Sequence, residues 1–462
     1  MAEGGRSGVR SRRLAVLLLL AAVAGSGLAL DRAVAPGAPP PPAATVWSGA
    51  WFCPHGGGRG WRGWVVLANP GDRAASVRLT SLGSRGVRGV EWARVPPLAL
   101  QYRPVPAGQA GAATVVEAFG GWVGAATVLE APGGGAAASR CVTGTRSRWS
   151  VLDQPTGEGE RAFLVVMNPF AVPAQFDVVI RTERRTIRPS SLTPVVVPPR
   201  TSVAVKLNEY ALEAPGEPTV TAEVVRRTGR VVAGGLGVTP GGVRGEVGVG
   251  APASDWTGPA PGAAGEAGLT VLNPGAASTE LALLSLERAG ERVLSAPQGL
   301  SVGAEGVLSV PVRPLRGGLV LEASGPPGVA AALVLGARGG DTATVGLATA
   351  AGRSWLVLPA GPPDRPEGRQ VVLLVNPGKE PARVLVRLLG PGGLLGAPRW
   401  VMVPEGSSLR VDLEETGRPA GLALRATGGG VVAGVAWVGP GGRAGGGGRE
   451  YAATLGVPWP TR

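Results

Sequence analysis

The chain has 462 residues with 77 Gly and 44 Pro, so about one residue in four favours turns over long helices, and 44% apolar against 17% charged residues excludes an intrinsically disordered chain. One His, two Cys and eight Asp leave few groups for catalysis or metal binding, and no cofactor is expected. The net charge of +13 is almost wholly Arg, Lys206 and Lys379 being the only lysines, and no element interleaves basic residues with aromatics, so no nucleic-acid partner is expected.

Residues 1–13 read as a basic cytoplasmic tail carrying Arg10, Arg12 and Arg13. The uncharged run 14–30, LAVLLLLAAVAGSGLAL, follows and is closed by Asp31 and Arg32. As a helix it reaches roughly 26 Å, the lower edge of a bilayer span. The positive flank holds the N-terminus inside and sends the remainder out. The expected product is a single-pass cell-membrane protein with its folded part extracytoplasmic; the alternative is a cleaved signal and a secreted protein. Residues 31–46 contain Pro39 to Pro42 and read as a stiff polyproline stalk.

Beyond the stalk, one pattern occurs four times. An apolar run followed by Asn-Pro appears at Asn69-Pro70, Asn168-Pro169, Asn273-Pro274 and Asn376-Pro377, spaced 99, 105 and 103 residues apart. Asn208 is the one asparagine outside this set. About 30 residues later come VPPLALQY, VPPRTSVAVKL, VGAEGVLSV and VPEGSSLRVDL, then paired apolar runs with a Gly-bearing turn. A Trp closes each copy, at Trp149, Trp256, Trp355 and Trp459, with Trp51 as the opening counterpart. The resulting segments are 47–148, 149–255, 256–354 and 355–462.

These runs alternate apolar and polar positions over short stretches rich in Val, Leu and Thr, the pattern of half-buried strands. Asn-Pro suits a strand end, because proline fixes φ and an Asn side chain can bond nearby backbone. Seven or eight strands per hundred residues close an immunoglobulin-like β-sandwich. The expected fold is therefore all-β, an N-terminal transmembrane helix followed by four tandem β-sandwich repeats. The alternative is a β-propeller with two four-stranded blades per repeat, closed by the strand around Trp459.

Cys53 and Cys141 fall in one repeat, and two lone cysteines outside the cytoplasm imply a disulfide. Cys53, Cys141 and His55 are too few for a structural zinc site, and His55 reads as an exposed loop residue beside Gly56. No G-x-S-x-G elbow accompanies the single His, and Glu414 and Glu415 would point to opposite faces of a strand. The Gly runs at Gly133, Gly428 and Gly445 lack the Lys of a phosphate loop and read as turns. Neither a catalytic nor a metal site is expected. Trp61, Trp64, Trp92 and Trp122 occur only in the first repeat and are candidates for a binding face on sugar or protein, against irregular core packing.

W-F-C-P at Trp51, Asn-Pro-Gly-Asp at Asn69 and V-P-P before S-V-A-V-K-L-N-E at Ser202 resemble the repeats of an uncharacterised family of actinobacterial exported proteins. The likeness runs from about Trp47 to Arg462 and implies an envelope location and no catalytic residue. Phe170 stands for the Gly after the second Asn-Pro and Gly303 for the Pro of the third copy, which predicts altered turns there. The function expected is a non-enzymatic, membrane-anchored extracytoplasmic element for structure, adhesion or envelope assembly, partnered by wall polymer or another envelope protein. The alternative is a binding module for anionic lipid or wall polymer. Its basis is the first repeat, which has 11 basic and 4 acidic residues, net +7.

Overall fold

The computed structural model describes residues 49–460, interrupted at 212–215, 241, 262–266, 289–291, 295–298, 313–314, 316, 337–340, 366, 414–419 and 440–449, together with Leu18, Leu19, Ala21, Ala22, Gly25 and Ser26. Those six are helical; the rest of the expected anchor 14–30, the tail 1–13 and the stalk 31–46 lie outside the described residues, as do Glu414, Glu415 and Gly445. The chain divides into two units, Met1–Val46 and Trp47–Arg462. Among the described residues no helix is long and apolar enough to cross a membrane.

The second unit is all-β. Its first repeat contains β1 (Gly49–Cys53), β2 (Arg62–Asn69), β3 (Ala75–Gly83), β4 (Gly86–Val95), β5 (Ala99–Pro104), β6 (Ala113–Phe119), β7 (Gly124–Glu130) and β8 (Ala136–Arg140). The second contains β9 (Arg148–Pro155), β10 (Arg161–Asn168), β11 (Ala174–Arg181), β12 (Thr186–Ile187), β13 (Val195–Val197), β14 (Thr201–Lys206), β15 (Thr219–Thr228), β16 (Val232–Thr239) and β17 (Gly242–Val247). The third contains β18 (Asp255–Pro259), β19 (Ala267–Leu272), β20 (Thr279–Leu286), β21 (Arg292–Leu294), β22 (Leu300–Val302), β23 (Val307–Pro311), β24 (Gly318–Ala323), β25 (Ala330–Gly336) and β26 (Thr342–Gly346). The fourth contains β27 (Ser354–Val357), β28 (Arg369–Asn376), β29 (Ala382–Gly390), β30 (Gly393–Leu394), β31 (Arg399–Val403), β32 (Ser407–Asp412), β33 (Gly421–Gly428), β34 (Val432–Val438), β35 (Tyr451–Leu455) and β36 (Val457–Pro458).

One strand order recurs in all four. An outer sheet runs β1-β6-β3-β4, β9-β15-β11-β12, β18-β24-β20-β21 or β27-β33-β29 with β30 and β31. An inner sheet runs β5-β2-β7-β8, β14-β10-β16-β17, β23-β19-β25-β26 or β32-β28-β34-β35. The two sheets of a repeat share a core: in the second repeat Phe176, Val178 and Ile180 of the outer sheet pack with Leu164 and Val166 of the inner one. Outer strands alternate, β3 hiding Val77 and Leu79 while Ser76 stays exposed. The central inner strands do not alternate, since β2, β10 and β28 are buried along nearly their whole length.

That two-sided burial has a physical cause: each outer sheet also packs on the inner sheet of the next repeat. Phe52, Leu82 and Val115 of the first outer sheet join the second core, Leu152 of β9 meets Leu272, Ala330 and Ala332, and Leu286 of β20 meets Leu373 and Val375. The fourth outer sheet returns to the first inner sheet through the parallel bridge of Gly390 to Ala99. Arg365 to Glu130 at 2.8 Å and Tyr102 Oη donating to the Gly361 carbonyl at 3.0 Å tie the same repeats. At the centre β8, β17, β26 and β35 touch one another in a closed cycle. The repeats therefore close on one another and are not strung end to end, a departure from the tandem expectation and the feature it shares with the ring alternative. Trp459 does not close the ring. It follows β36, which pairs with β27 of its own repeat.

Candidate functional site

The four Asn-Pro asparagines are buried and do one job. Asn69 Nδ2 donates to the carbonyls of Arg73 at 2.7 Å and Val95 at 3.2 Å, and its Oδ1 accepts from the Gly71 N–H at 3.0 Å. Asn168 repeats this with Val172, Val197 and Phe170, Asn273 with Ala277, Val302 and Gly275, and Asn376 with Glu380, Val403 and Gly378. Pro70, Pro169, Pro274 and Pro377 follow as strand terminators. The altered turns expected from Phe170 and Gly303 are not found, because both copies keep the same bonds: Phe170 N–H reaches Asn168 Oδ1 at 3.1 Å, and the Gly303 carbonyl accepts from Asn273 at 3.0 Å. The Phe170 ring instead meets Phe52, with centroids 5.8 Å apart.

The recurring tryptophans are a second set of latches. Trp51, Trp149, Trp256 and Trp355 donate their indole N–H to the carbonyls of Val123, Val231, Val329 and Val431 at 2.6, 2.9, 2.9 and 2.5 Å. Each opens a repeat on its first strand. Trp459 has no such place; it stands edge-on to Trp122, centroids 6.2 Å apart.

Cys53 and Cys141 form a disulfide with Cα atoms 4.7 Å apart, joining the end of β1 to the residue after β8. His55 is buried, contrary to its expected exposure. Its Nδ1 lies 2.8 Å from the Gly56 carbonyl and its Nε2 3.1 Å from Thr114 Oγ1, so the ring donates from Nδ1 and accepts at Nε2. Burial pushes its pKa down to about 4, against the Gly56 carbonyl, which raises it. Among the described residues no three His, Cys, Asp or Glu side chains are grouped to hold a metal ion.

The aromatic candidates of the first repeat do not form one face. Trp61 packs with Leu129, Val165 and Leu236 between the first two inner sheets, and Trp64 lies against the large core shared by repeats one and four. Trp122 lies edge-on to Trp51 at 5.7 Å. Trp92 stands apart on β4, 59% exposed, with Phe119 at 5.7 Å and the Arg78 guanidinium 5.8 Å from its ring. Val87 and Val90 are exposed on the same strand, and Arg85, Arg88 and Arg94 are exposed on it or at its turn.

A cavity that no motif in the sequence announces lies at the C-terminal ends of β8, β17, β26 and β35. It has a volume of about 640 Å³ and is walled by Trp51, Trp149, Trp256 and Trp355, by Trp122, and by residues drawn from 140–146, 248–251, 347–352 and 457–460. All four repeats contribute equivalent segments. Among the described residues its charged lining is Arg140 and Arg146 alone. The Nε of Arg140 is buried without a hydrogen-bond partner, and so are both carboxyl oxygens of Glu246 on β17. Burial raises the Glu246 pKa to about 8; the Arg140 charge and the nearby Gly346 and Val247 N–H groups, short of hydrogen-bond geometry, oppose that rise. Recurrence marked the tryptophans in the sequence. No signal within one repeat marks Arg140 and Glu246, which meet only because the repeats close.

The chain belongs to a family of unknown function, DUF5719, whose model matches residues 105–364. Comparison with curated proteins finds no match. A crystal structure of Thermotoga maritima 1070 is similar at 17% identity and TM-score 0.19, covering 24% of this chain and 96% of that one. A tetra-tandem repeat from the extending region of a large adhesion protein is similar at 12% identity and TM-score 0.11, covering 84% and 94%.

Proposed function

We propose that this protein is a non-enzymatic extracytoplasmic element of the cell envelope, held at the membrane through residues 14–30, in which four sandwich repeats closed into one ring act as a rigid structural or assembly part. The observation that carries this reading is the Cys53–Cys141 bond, since such a bond persists in oxidising compartments. The recurring Asn and Trp side chains support it, because their polar atoms are engaged by backbone in all four repeats and serve the frame. Protease shaving of intact cells, combined with mass spectrometry of the native N-terminus, is the test. Fragments from Trp47 onward released from the outside, with residues 14–30 retained, are expected. Protection of the whole chain with both thiols alkylatable in unreduced cells would overturn the reading.

A second reading, contact with an anionic surface through the first repeat, is favoured by β4. There Val87, Val90 and Trp92, with Phe119 of β6 beside Trp92, lie exposed among Arg85, Arg88 and Arg94, the mixture that settles at a headgroup layer. Co-sedimentation with phosphatidylglycerol vesicles should fall with salt and be lost in Trp92→Ala combined with Arg88→Gln and Arg94→Gln. Binding to wall fragments but not to vesicles would assign the face to wall polymer.

A further inference from the structure

The cavity at the ring centre is built by a four-fold frame but decorated at one position. The bridges Phe52 to Val142, Ser150 to Val249, Thr257 to Ala348 and Leu356 to Val457 set the four repeats in register. In that register the position of Arg140 is Val247, Gly346 and Leu455 in the other copies, and that of Glu246 is Ser139, Val345 and Thr454. Three repeats thus complete the frame with Val, Gly or Leu where the first carries a guanidinium. The frame has no need of charge there.

The pair does not satisfy itself. Arg140 Nε and both Glu246 oxygens lack hydrogen-bond partners although all three atoms are buried, so the frame leaves this pair of polar side chains unmatched by its own structure. Arg140 also lines the cavity, Arg146 is exposed at it, and no acidic side chain among the described residues joins them there. The remaining wall is mainly apolar, with Val142, Val249, Leu347 and Val457 beside the tryptophans. An apolar cavity whose charged lining is the Arg140 and Arg146 guanidinium groups fits a planar or tetrahedral oxyanion carried on an apolar body.

We propose that the central cavity binds a small amphiphilic anion, its carboxylate or phosphate received by Arg140 and its apolar body held against the Trp-lined wall. The site uses residues of all four repeats, so it exists only in the closed ring. It is independent of where in the cell the chain resides.

The test is calorimetric titration of the full chain with phenyl phosphate and benzoate, and with benzyl alcohol as the uncharged match, at constant ionic strength. Both anions are expected to bind about tenfold or more tighter than benzyl alcohol, and Arg140→Leu is expected to abolish that preference. Leu is the residue the fourth repeat uses at this position, so the frame should tolerate it. Arg140→Leu with Glu246→Thr copies Leu455 and Thr454 together and gives the same reading should the single variant fold poorly. Equal affinity for the three probes, no binding by any, or an anion preference that survives in the folded variants would overturn the assignment.

Discussion

The side-chain amide of Asn168 donates to the main-chain carbonyl of Val197, 29 positions later, at 3.1 Å. This bond ties the end of β10 in the inner sheet to the end of β13 in the outer one, and Asn69, Asn273 and Asn376 do the same to Val95, Val302 and Val403. Both ends of the amide are used, Nδ2 as donor and Oδ1 as acceptor, so the residue type is specified and not merely its size. Asn168→Asp keeps the shape but places carboxylate oxygen against buried carbonyls, whereas Asn168→Ala leaves them unpaired. Urea unfolding should show a loss of about 2–4 kcal/mol for Ala and at least as much for Asp. An Asp variant as stable as the native protein would remove the donor role.

A neighbouring feature predicts a gain. Leu98, Arg200 and Glu305 hold positive φ of 53°, 52° and 51°, and the same place in the fourth repeat is Gly406 at 57°. Each donates its N–H to the residue two after the latch Asn: Leu98 to Gly71, Arg200 to Phe170, Glu305 to Gly275 and Gly406 to Gly378. The left-handed backbone is thus required by the turn, and three copies carry it with a Cβ. Arg200→Gly should raise stability by up to about 1 kcal/mol, the steric relief being offset in part by the freer unfolded chain. A marked loss would show that the Arg200 side chain contributes contacts that outweigh the relief.

How much of this was legible follows from two kinds of residue. Latches at Asn69 and Trp51 announce themselves because they recur, and an internal repeat multiplies a weak signal by four. The β character followed from Val-rich short runs between Gly and Pro. Ring closure also left a trace that local reading passes over: VVLA before Asn69, FLVVM before Asn168 and VVLLV before Asn376 are continuous apolar runs without alternation, the mark of a strand covered on both faces. A free-standing sandwich in a string would leave one face wet. Arg140 and Glu246 could not be found this way, since neither recurs and they belong to different repeats. His55 reads as exposed from its Gly-rich surroundings, but Gly57 brings the segment so close to Ala107 that a Cβ there would lie 2.0 Å from its carbonyl oxygen.

The disulfide closes a separation of 88 residues and spans the whole first repeat. In the chain-entropy account a loop of that length restricts the unfolded chain by about 4–5 kcal/mol. Its counterparts in register are Val151 with Gly248, Gly258 with Leu347 and Val357 with Gly456, so the fold completes this corner three times without a bond. Cys53→Ala with Cys141→Ala should therefore fold to the same sheets, by circular dichroism, yet unfold at lower urea concentration. Failure to fold at all would mean that the bond is needed to form the first repeat and does more than restrict its unfolded state.

Two buried titratable groups set opposite pH dependences. Glu246 holds its proton up to about pH 8 in the folded protein, against an ordinary value of 4.5. Between those values the unfolded chain has released a proton that the folded one keeps, so stability falls as pH rises through the window, by on the order of 4–5 kcal/mol for the full shift. His55 behaves inversely. Its pKa falls from 6.5 to about 4, so as pH drops through that range the unfolded chain gains a proton the folded one refuses, and stability falls by about 3 kcal/mol. Where the windows overlap, between 4.5 and 6.5, the two slopes oppose each other, and from 6.5 to 8 Glu246 acts alone. Urea midpoints measured across that upper range should decline in the native protein and stay level in Glu246→Gln, whose amide never ionises. A native profile as level as that of the variant would mean that Glu246 titrates near its ordinary value and that the ring centre is wetter than its packing indicates.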